Sequence, residues 1–180
     1  PPSGHLSMAM AYSGRARMAL GQVAHKVYQS HRVEEDTDFQ AEVKVELRRM
    51  VGDWEVVITG RMDGVSREGD HWVVEEVKST ALGHDRLALM TVADLPDAAV
   101  QLQTYLHAMA NSGRPAIGRL VLMSVADGTQ HILHVQPDPE FSAFLESQLG
   151  WIIAKRERHL DWLNRRRQAT VPFSHGGWRA

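Results

Sequence analysis

The sequence of 180 residues contains no cysteine. Disulfide bonds and zinc sites built on thiolates are therefore excluded. It also lacks any apolar run that approaches the roughly 20 residues of a membrane-spanning helix. Positive charge is not in excess, because the formal net charge is −2. A function on nucleic acids would therefore depend on local rather than overall basic character.

The composition is that of a globular protein, with 43% hydrophobic and 23% charged residues. The length suits a single domain, which we place at residues 1–170. The first residues lack the basic and then apolar pattern of a signal peptide. Together with the absence of cysteine, this favours a cytoplasmic location and no membrane partner.

Two carboxylates and a lysine stand where a hairpin would bring them together. Glu76 and Lys78 share one face of a predicted strand over residues 71–78, because side chains two apart point the same way. Asp63 ends the preceding strand, and Glu68-Gly69-Asp70 predicts the turn between them. Carboxylate oxygens are ligands for Mg²⁺ or Mn²⁺. A lysine beside them can hold an attacking water and offset charge on a phosphate.

A Glu-x-Lys pair alone is more often a solvated ion pair on a strand surface. The chain contains a second copy, Glu42-Val43-Lys44, which no aspartate-ending strand precedes. Its upstream acidic residues lie in a polar stretch that indicates a solvated loop. The copy at Glu76 lies in a more apolar strand, where a buried charge needs a compensating partner. We therefore assign the site to Glu76 and Lys78.

The predicted helices add further polar candidates. His25 lies on a helix predicted over residues 15–31, near the edge of an apolar face, and is either a structural histidine or a ligand. Gln101 and Tyr105 share one side of a helix that begins near Pro96 and ends at Gly113. Residues 81–95 form either a loop over substrate or a connection. The predicted apolar side of the first helix comprises Met18, Val23, Ala24, Val27 and Tyr28.

Two further strands, over residues 117–125 and 130–135, surround the turn Asp127-Gly128. Pro139 opens a long helix whose far end is basic, a surface that is either solvated or in contact with a DNA backbone. The order of elements predicts an α/β three-layer sandwich with a mixed central sheet between helices. The predicted apolar side of the long helix comprises Phe141, Phe144, Leu145, Leu149, Ile152, Ile153, Leu160 and Leu163.

The ordered set His25, Asp63, Glu76-Val77-Lys78 and Gln101-x-x-x-Tyr105 resembles the PD-(D/E)XK nuclease superfamily, specifically its RecB-like branch. The resemblance spans roughly residues 15–136. The stretch from Gly14 to His25, together with Val74 to Thr80, is similar to nuclease domains fused to DinG/XPD-like helicases. Met62 stands where the superfamily pattern has its proline.

The resemblance implies a nuclease that requires a divalent metal. Lys78, Asp63 and Glu76 are the implied catalytic residues, and His25 and the Val77 carbonyl are implied as metal ligands beside the two carboxylates. A nitrogen ligand favours Mn²⁺ over Mg²⁺. An iron–sulfur cluster, present in several RecB-like relatives, is excluded because there is no cysteine. Gln101, Tyr105 and Arg61 are expected to bind the substrate.

The implied partner is DNA, in single-stranded form, in repair or recombination. Three alternatives stay open: a non-catalytic DNA-binding module that kept the fold, a stand-alone nuclease without a helicase, and a nuclease that acts on RNA. Residues 171–180 resemble the segment that opens the motor of fused helicases, and are either the start of such a linker or a terminus. The sequence does not distinguish exonuclease from endonuclease action, polarity, one metal from two, or oligomeric state.

Overall fold

The computed structural model describes residues 3–169, with side chains described from residue 18 to residue 165. This part of the chain contains four α-helices, one 3-10 turn and one five-stranded sheet. The strands are β1 (Gln40–Val51), β2 (Trp54–Glu68), β3 (His71–Thr80), β4 (Ala116–Ser124) and β5 (Gln130–Val135). The helices are α1 (Ser3–Glu35), α2 (His84–Leu87), α3 (Pro96–Asn111) and α4 (Phe141–Ala169), with one 3-10 turn over Val92–Asp94.

The sheet is mixed, and its strands lie in the order β1-β2-β3-β4-β5. The pairs β2–β3 and β4–β5 are antiparallel, whereas β3 and β4 are parallel. A parallel pair needs a crossover, and α3 supplies it. The predicted turns at Gly69 and Gly128, and the turn at Gly52, all have positive φ, the left-handed conformation that glycine adopts readily.

Helices cover both faces of the sheet. On one face, Leu102 and Leu106 of α3 pack with Val74 of β3 and Leu120 of β4 in the larger core cluster. On the other face, Tyr28 of α1 packs with residues of β3 and β4. Because strand side chains alternate between faces, neighbouring residues such as Leu120 and Val121 serve the two different clusters. The predicted α/β sandwich with a mixed central sheet is confirmed.

The chain divides into two compact units. The first comprises the residues up to Leu47 together with Val57–Phe141, and it contains all the predicted site residues. The second comprises Arg48–Val56 and the chain from Ser142 onward. Within this second unit, the Trp54 indole donates to Glu157 Oε1 at 3.0 Å. The predicted tail at 171–180 lies outside the described residues. Within the described residues, no helix is long and apolar enough to cross a membrane.

The prediction that Asp63 ends a strand is wrong, because β2 continues unbroken to Glu68. Residues 81–95, for which the sequence predicts either a loop over substrate or a connection, hold α2 and the 3-10 turn. The apolar side assigned to α1 is also wrong in part. Met18, Val23 and Val27 are exposed, because the helix packs through the side that carries Tyr28 and Gln29.

The apolar side assigned to α4 needs a similar correction. Leu145 and Leu149 are buried as predicted, but Phe144 and Ile152 are exposed. Hydrophobicity alone does not identify the packed side of a helix that has apolar residues in several directions.

Candidate active site

The site forms where β2 and β3 separate. In the described part of the chain, their register runs from Gly64↔Glu75 to Glu68↔His71, although β3 continues to Thr80. Past this register the backbone amide of Val77 donates to Asp63 Oδ2 at 2.8 Å. A side-chain carboxylate thus satisfies a strand amide beyond the ladder. This bond holds Asp63 beside the strand that carries Glu76 and Lys78.

Glu76 and Lys78 project from the same face of β3, as the strand periodicity predicts. Lys78 Nζ lies 2.6 Å from Glu76 Oε1, and the Glu76 side chain is only 3% exposed. Its other oxygen, Oε2, is buried and has no hydrogen-bond partner among the described residues. Burial, followed by the negative charge of Asp63, raises the pKa of Glu76, while Lys78 opposes the shift. The buried carboxylate therefore has one oxygen that lacks a positive or donating partner.

A chain of hydrogen bonds extends from Lys78 across α3 to β2. Lys78 Nζ donates to Gln101 Oε1 at 3.1 Å, and Gln101 Nε2 donates to the Tyr105 hydroxyl at 2.9 Å. The Tyr105 hydroxyl donates in turn to the Arg61 carbonyl oxygen at 3.0 Å. The i, i+4 spacing on one helix thus brings Gln101 and Tyr105 into direct contact, as predicted. The amide oxygen of Gln101 holds the lysine amine in a defined position.

His25 lies beside Asp63, with 3.8 Å between His25 Nδ1 and Asp63 Oδ2. The imidazole is 28% exposed, so it is reachable from solvent rather than enclosed in the core. Gly21, one turn earlier on α1, permits a close approach to β3. A Cβ at Gly21 would lie 2.7 Å from Ser79 Oγ. The helix can therefore place its polar residues against the region where the strands separate.

Two residues next to the site went unrecognised in the sequence, Gln29 and Glu42. Gln29 Nε2 donates to the Asp63 carbonyl oxygen at 2.9 Å and to Glu42 Oε1 at 3.0 Å. Glu42 also accepts from Arg61 Nη1 at 3.0 Å. Its φ of 58° is the one positive value among the non-glycine residues that the structure describes. The sequence assigned Glu42 to the second Glu-x-Lys copy because no aspartate-ending strand precedes it, and no sequence pattern signals its position beside Asp63.

The structure does not bring the Arg61 side chain together with Lys78. The guanidinium is 59% exposed and forms an ion pair with Glu42. Only the backbone carbonyl of Arg61 joins the hydrogen-bond chain from Lys78. Val77 contributes no side chain to the site either, because its side chain is buried in the cluster under α1. A role for Val77 in the site therefore rests on its backbone.

Glu75, adjacent to Glu76 in sequence, points to the opposite face and has a different environment. Its carboxylate is 1% exposed, accepts from the Tyr28 hydroxyl at 2.7 Å and lies 3.2 Å from Arg32 Nη2. Arg119 lies 3.6 Å from the same carboxylate. Burial and the bond to Glu75 raise the pKa of Tyr28 above its usual range. Glu75 is thus satisfied within a network of charges, whereas Glu76 keeps an oxygen without a partner.

The model of the PD-(D/E)XK nuclease superfamily matches residues 5–171. The chain belongs to the PD-(D/E)XK nuclease superfamily. The predicted superfamily is therefore confirmed over nearly the whole sequence.

The fold of this superfamily member is similar to that of a solved structure titled "Crystal structure of SSO0001". The identity is 19%, the TM-score is 0.56, and the match covers 84% of this chain and 67% of that chain. At this identity the likeness concerns the fold alone. No curated protein sequence matches this chain significantly.

Nucleases of this superfamily generally use divalent metal ions, and the donors at this site suit such an ion. Asp63 and Glu76 offer hard oxygens, one of them buried without a partner, and His25 offers a nitrogen. Among the described residues, however, no group of three or more His, Asp or Glu side chains is arranged around one point. The Asp63 and Glu76 oxygens are instead drawn toward Val77 and Lys78. Coordination by all three side chains would therefore require rotation of the carboxylates.

Proposed function

We propose that this chain is a divalent-metal-dependent deoxyribonuclease that hydrolyses phosphodiester bonds. One observation carries the proposal. The separation of β2 and β3 sets Asp63 against the strand that bears Glu76 and Lys78, and a buried Glu76 oxygen lacks a partner there. A buried carboxylate oxygen of this kind is costly unless a cation or donor compensates it. The superfamily supplies the reaction class, and the residues supply the chemistry.

Asp63, Glu76, His25 and the Val77 carbonyl would hold the metal. A bound Mn²⁺ or Mg²⁺ supplies Lewis-acid polarisation of a phosphate oxygen and lowers the pKa of water. The histidine nitrogen favours Mn²⁺ over Mg²⁺ at this site. Gln29 donates to the Asp63 carbonyl and so fixes the backbone of one ligand from α1.

Lys78 supplies the positive charge that the negative transition state needs. Its amine is also positioned to orient the attacking water. Gln101 accepts from this amine, and Tyr105 fixes the Gln101 amide, so the lysine is oriented before substrate binds. Arg61 is exposed next to this group and is a candidate for pairing with a substrate phosphate, in place of its present partner Glu42.

The finer assignment rests on the order of the motifs. His25 on an early helix, Asp63, Glu76-Val77-Lys78 and Gln101-x-x-x-Tyr105 follow the RecB-like pattern. We therefore propose a RecB-like nuclease that acts on single-stranded DNA in repair or recombination, in association with a DinG/XPD-like helicase. The hydrogen bonds from Lys78 to Gln101 and from Gln101 to Tyr105 support the RecB-like part of this proposal, because they connect the Gln-x-x-x-Tyr motif to the lysine of the site.

A cleavage assay tests the proposal. Single-stranded DNA labelled at either the 5′ or the 3′ end is incubated with the protein and Mn²⁺, Mg²⁺ or EDTA, alongside duplex DNA and single-stranded RNA. We expect cleavage of single-stranded DNA with Mn²⁺ and none with EDTA, and the two labels report polarity. Binding without cleavage under every metal condition would instead establish a non-catalytic DNA-binding module. Preferential cleavage of RNA would show that the protein is a ribonuclease rather than a deoxyribonuclease.

A further inference from the structure

One side of α4 carries aromatic and basic residues in a regular series. The spacing alternates between four and three residues, which keeps the positions on one side of an α-helix. Leu145 and Leu149 lie outside the series and are buried. We call the series the aromatic-basic face. It consists of Phe144, Gln148, Trp151, Lys155, Arg158, Trp162 and Arg165.

All seven positions of the aromatic-basic face are exposed. Trp151 is 58% exposed and Trp162 is 45% exposed, although tryptophan is usually largely buried. The ammonium group of Lys155 lies 5.1 Å from the centre of the Trp151 ring. His159, beside the face, stacks on Trp162 with 5.8 Å between ring centres and 21° between ring planes. Both indoles thus lie at the surface with planar or cationic groups next to them.

Aromatic rings that alternate with cations suit a ligand that alternates flat rings with negative charges. Single-stranded nucleic acid has this chemistry, since its bases stack on aromatic side chains while its phosphates pair with lysine and arginine. The acidic residues of the helix, Glu146, Glu157 and Asp161, are absent from the series. From Phe144 to Arg165 the face extends about 30 Å, at roughly 1.5 Å per residue. Several consecutive nucleotides can lie along such a length.

The same features argue against other occupants. In a duplex the bases are already stacked, so the indoles would gain no partner. A helix that lies on a membrane keeps its lysines and arginines on the side opposite its tryptophans, whereas here both share one side. A helical partner packed in a coiled coil needs an apolar seam, and Lys155, Arg158 and Arg165 interrupt it.

We propose that the aromatic-basic face binds single-stranded nucleic acid, with Trp151 and Trp162 stacking on bases and Lys155, Arg158 and Arg165 pairing with phosphates. The inference rests on the proposed function, because it supplies the single-strand recognition that this function requires. It concerns a surface that is separate in the chain from Asp63, Glu76 and Lys78.

Binding is measured with EDTA present, so that the result does not depend on cleavage. The probe is a fluorescently labelled oligo(dT) of about twenty nucleotides, and its fluorescence anisotropy measures the affinity. In a second titration, unlabelled oligo(dT) is added and the quenching of tryptophan fluorescence is measured. We expect quenching in the parent and an affinity roughly tenfold weaker in each of Trp151→Ala and Trp162→Ala. Ile152→Ala is the matched control, because Ile152 is 52% exposed and lies outside the series.

A second pair of variants tests the charges. Arg158→Ala should reduce the slope of log affinity against log salt by about 0.7, the value for one phosphate contact on a single strand. Arg156→Ala is the control, because Arg156 is an exposed neighbour outside the series, and its slope should match that of the parent. Circular dichroism of each variant confirms that the helix is retained.

The outcomes separate this inference from the proposed function. Unchanged oligo(dT) affinity in the Trp151→Ala/Trp162→Ala double variant would overturn the inference, even if the parent cleaves DNA. So would equal losses in the variants and their controls, equal affinity for a duplex, or binding to anionic lipid vesicles without binding to oligo(dT). If the affinity depends on both tryptophans but the protein cleaves no DNA with any metal, binding by the aromatic-basic face would be supported and the proposed nuclease activity would be overturned.

Discussion

The Val77 backbone amide donates to Asp63 Oδ2 at 2.8 Å, beyond the register of the β2–β3 pair. This contact links the fold to the site, because an acidic side chain replaces the neighbouring strand as the hydrogen-bond acceptor for a β3 amide. It gives the two motifs a fixed relationship even though 14 positions separate them.

Lys78→Ala should lower the rate of DNA cleavage by at least about a hundredfold, since a charge that stabilises the transition state is lost. Gel-based cleavage of labelled single-stranded DNA with saturating Mn²⁺ measures the effect. Lys44→Ala, in the other Glu-x-Lys copy, is the control and should cleave like the parent. A comparable rate from the Lys78 variant, once its fold is verified by circular dichroism, would remove Lys78 from the mechanism.

His25→Ala should bind Mn²⁺ at least about tenfold more weakly, because the site loses its nitrogen donor. Calorimetric titration measures this affinity directly. The metal-free variant should melt close to the parent, because the imidazole is partly exposed and its nearest charged contact, Asp63, is 3.8 Å away. His31→Ala is the matched control, an exposed histidine on the same helix. Equal Mn²⁺ affinity in the two variants would return His25 to a structural role.

Glu75→Gln and Glu76→Gln should have opposite consequences, although the residues are adjacent. Glu75→Gln removes the buried charge that faces Arg32 and Arg119, and we expect the free energy of unfolding to fall by about 2 kcal/mol or more. Glu76→Gln should change it by less than about 1 kcal/mol, because Glu76 is a buried acid with an oxygen that lacks a partner.

Urea unfolding in EDTA measures the two free energies, and cleavage with Mn²⁺ completes the comparison. Glu76→Gln should be stable and inactive. A Glu76 variant that loses as much stability as the Glu75 variant would show that the carboxylate at Glu76 is a structural one.

Glu42→Gly should be more stable than Glu42→Ala, by about 1 kcal/mol. Both variants lose the bonds to Gln29 and Arg61, but only alanine keeps a Cβ at a φ of 58°. The left-handed region costs a residue with a Cβ roughly 1–2 kcal/mol, and the greater unfolded-state freedom of glycine offsets part of that difference. Thermal melts of the two variants decide the matter, and the reverse order of stability would exclude strain at this position.

Much of the site could be predicted because its residues follow local rules. Strand alternation placed Glu76 and Lys78 on one face, the turn at Gly69 placed Asp63 near them, and helical spacing joined Gln101 to Tyr105. Each of these relationships depends on a few neighbouring residues. The order of the elements was sufficient for the mixed sheet, because a helix between two strands indicates a parallel crossover.

The rest depends on contacts between residues distant in sequence. Gln29 and Glu42 matter because α1 lies against the start of β1, and no periodicity in either segment indicates that contact. Glu75 differs from Glu76 only because Tyr28, Arg32 and Arg119 converge on one face of β3. The exposed Phe144 was misassigned because an apolar residue on a helix is usually taken for a core residue.

The bond between Asp63 and Val77 also gives the site a natural reporter. Hydrogen exchange at an amide slows when the amide is bonded and speeds when the bond opens. The Val77 amide is bonded to the side chain of a residue assigned to the site, so its exchange rate follows the position of that carboxylate. A cation that draws the carboxylate away from the strand should accelerate exchange at Val77 while amides of the Gly64–Glu68 ladder stay protected. One amide in the backbone therefore records whether the site is occupied, without any substrate being cut.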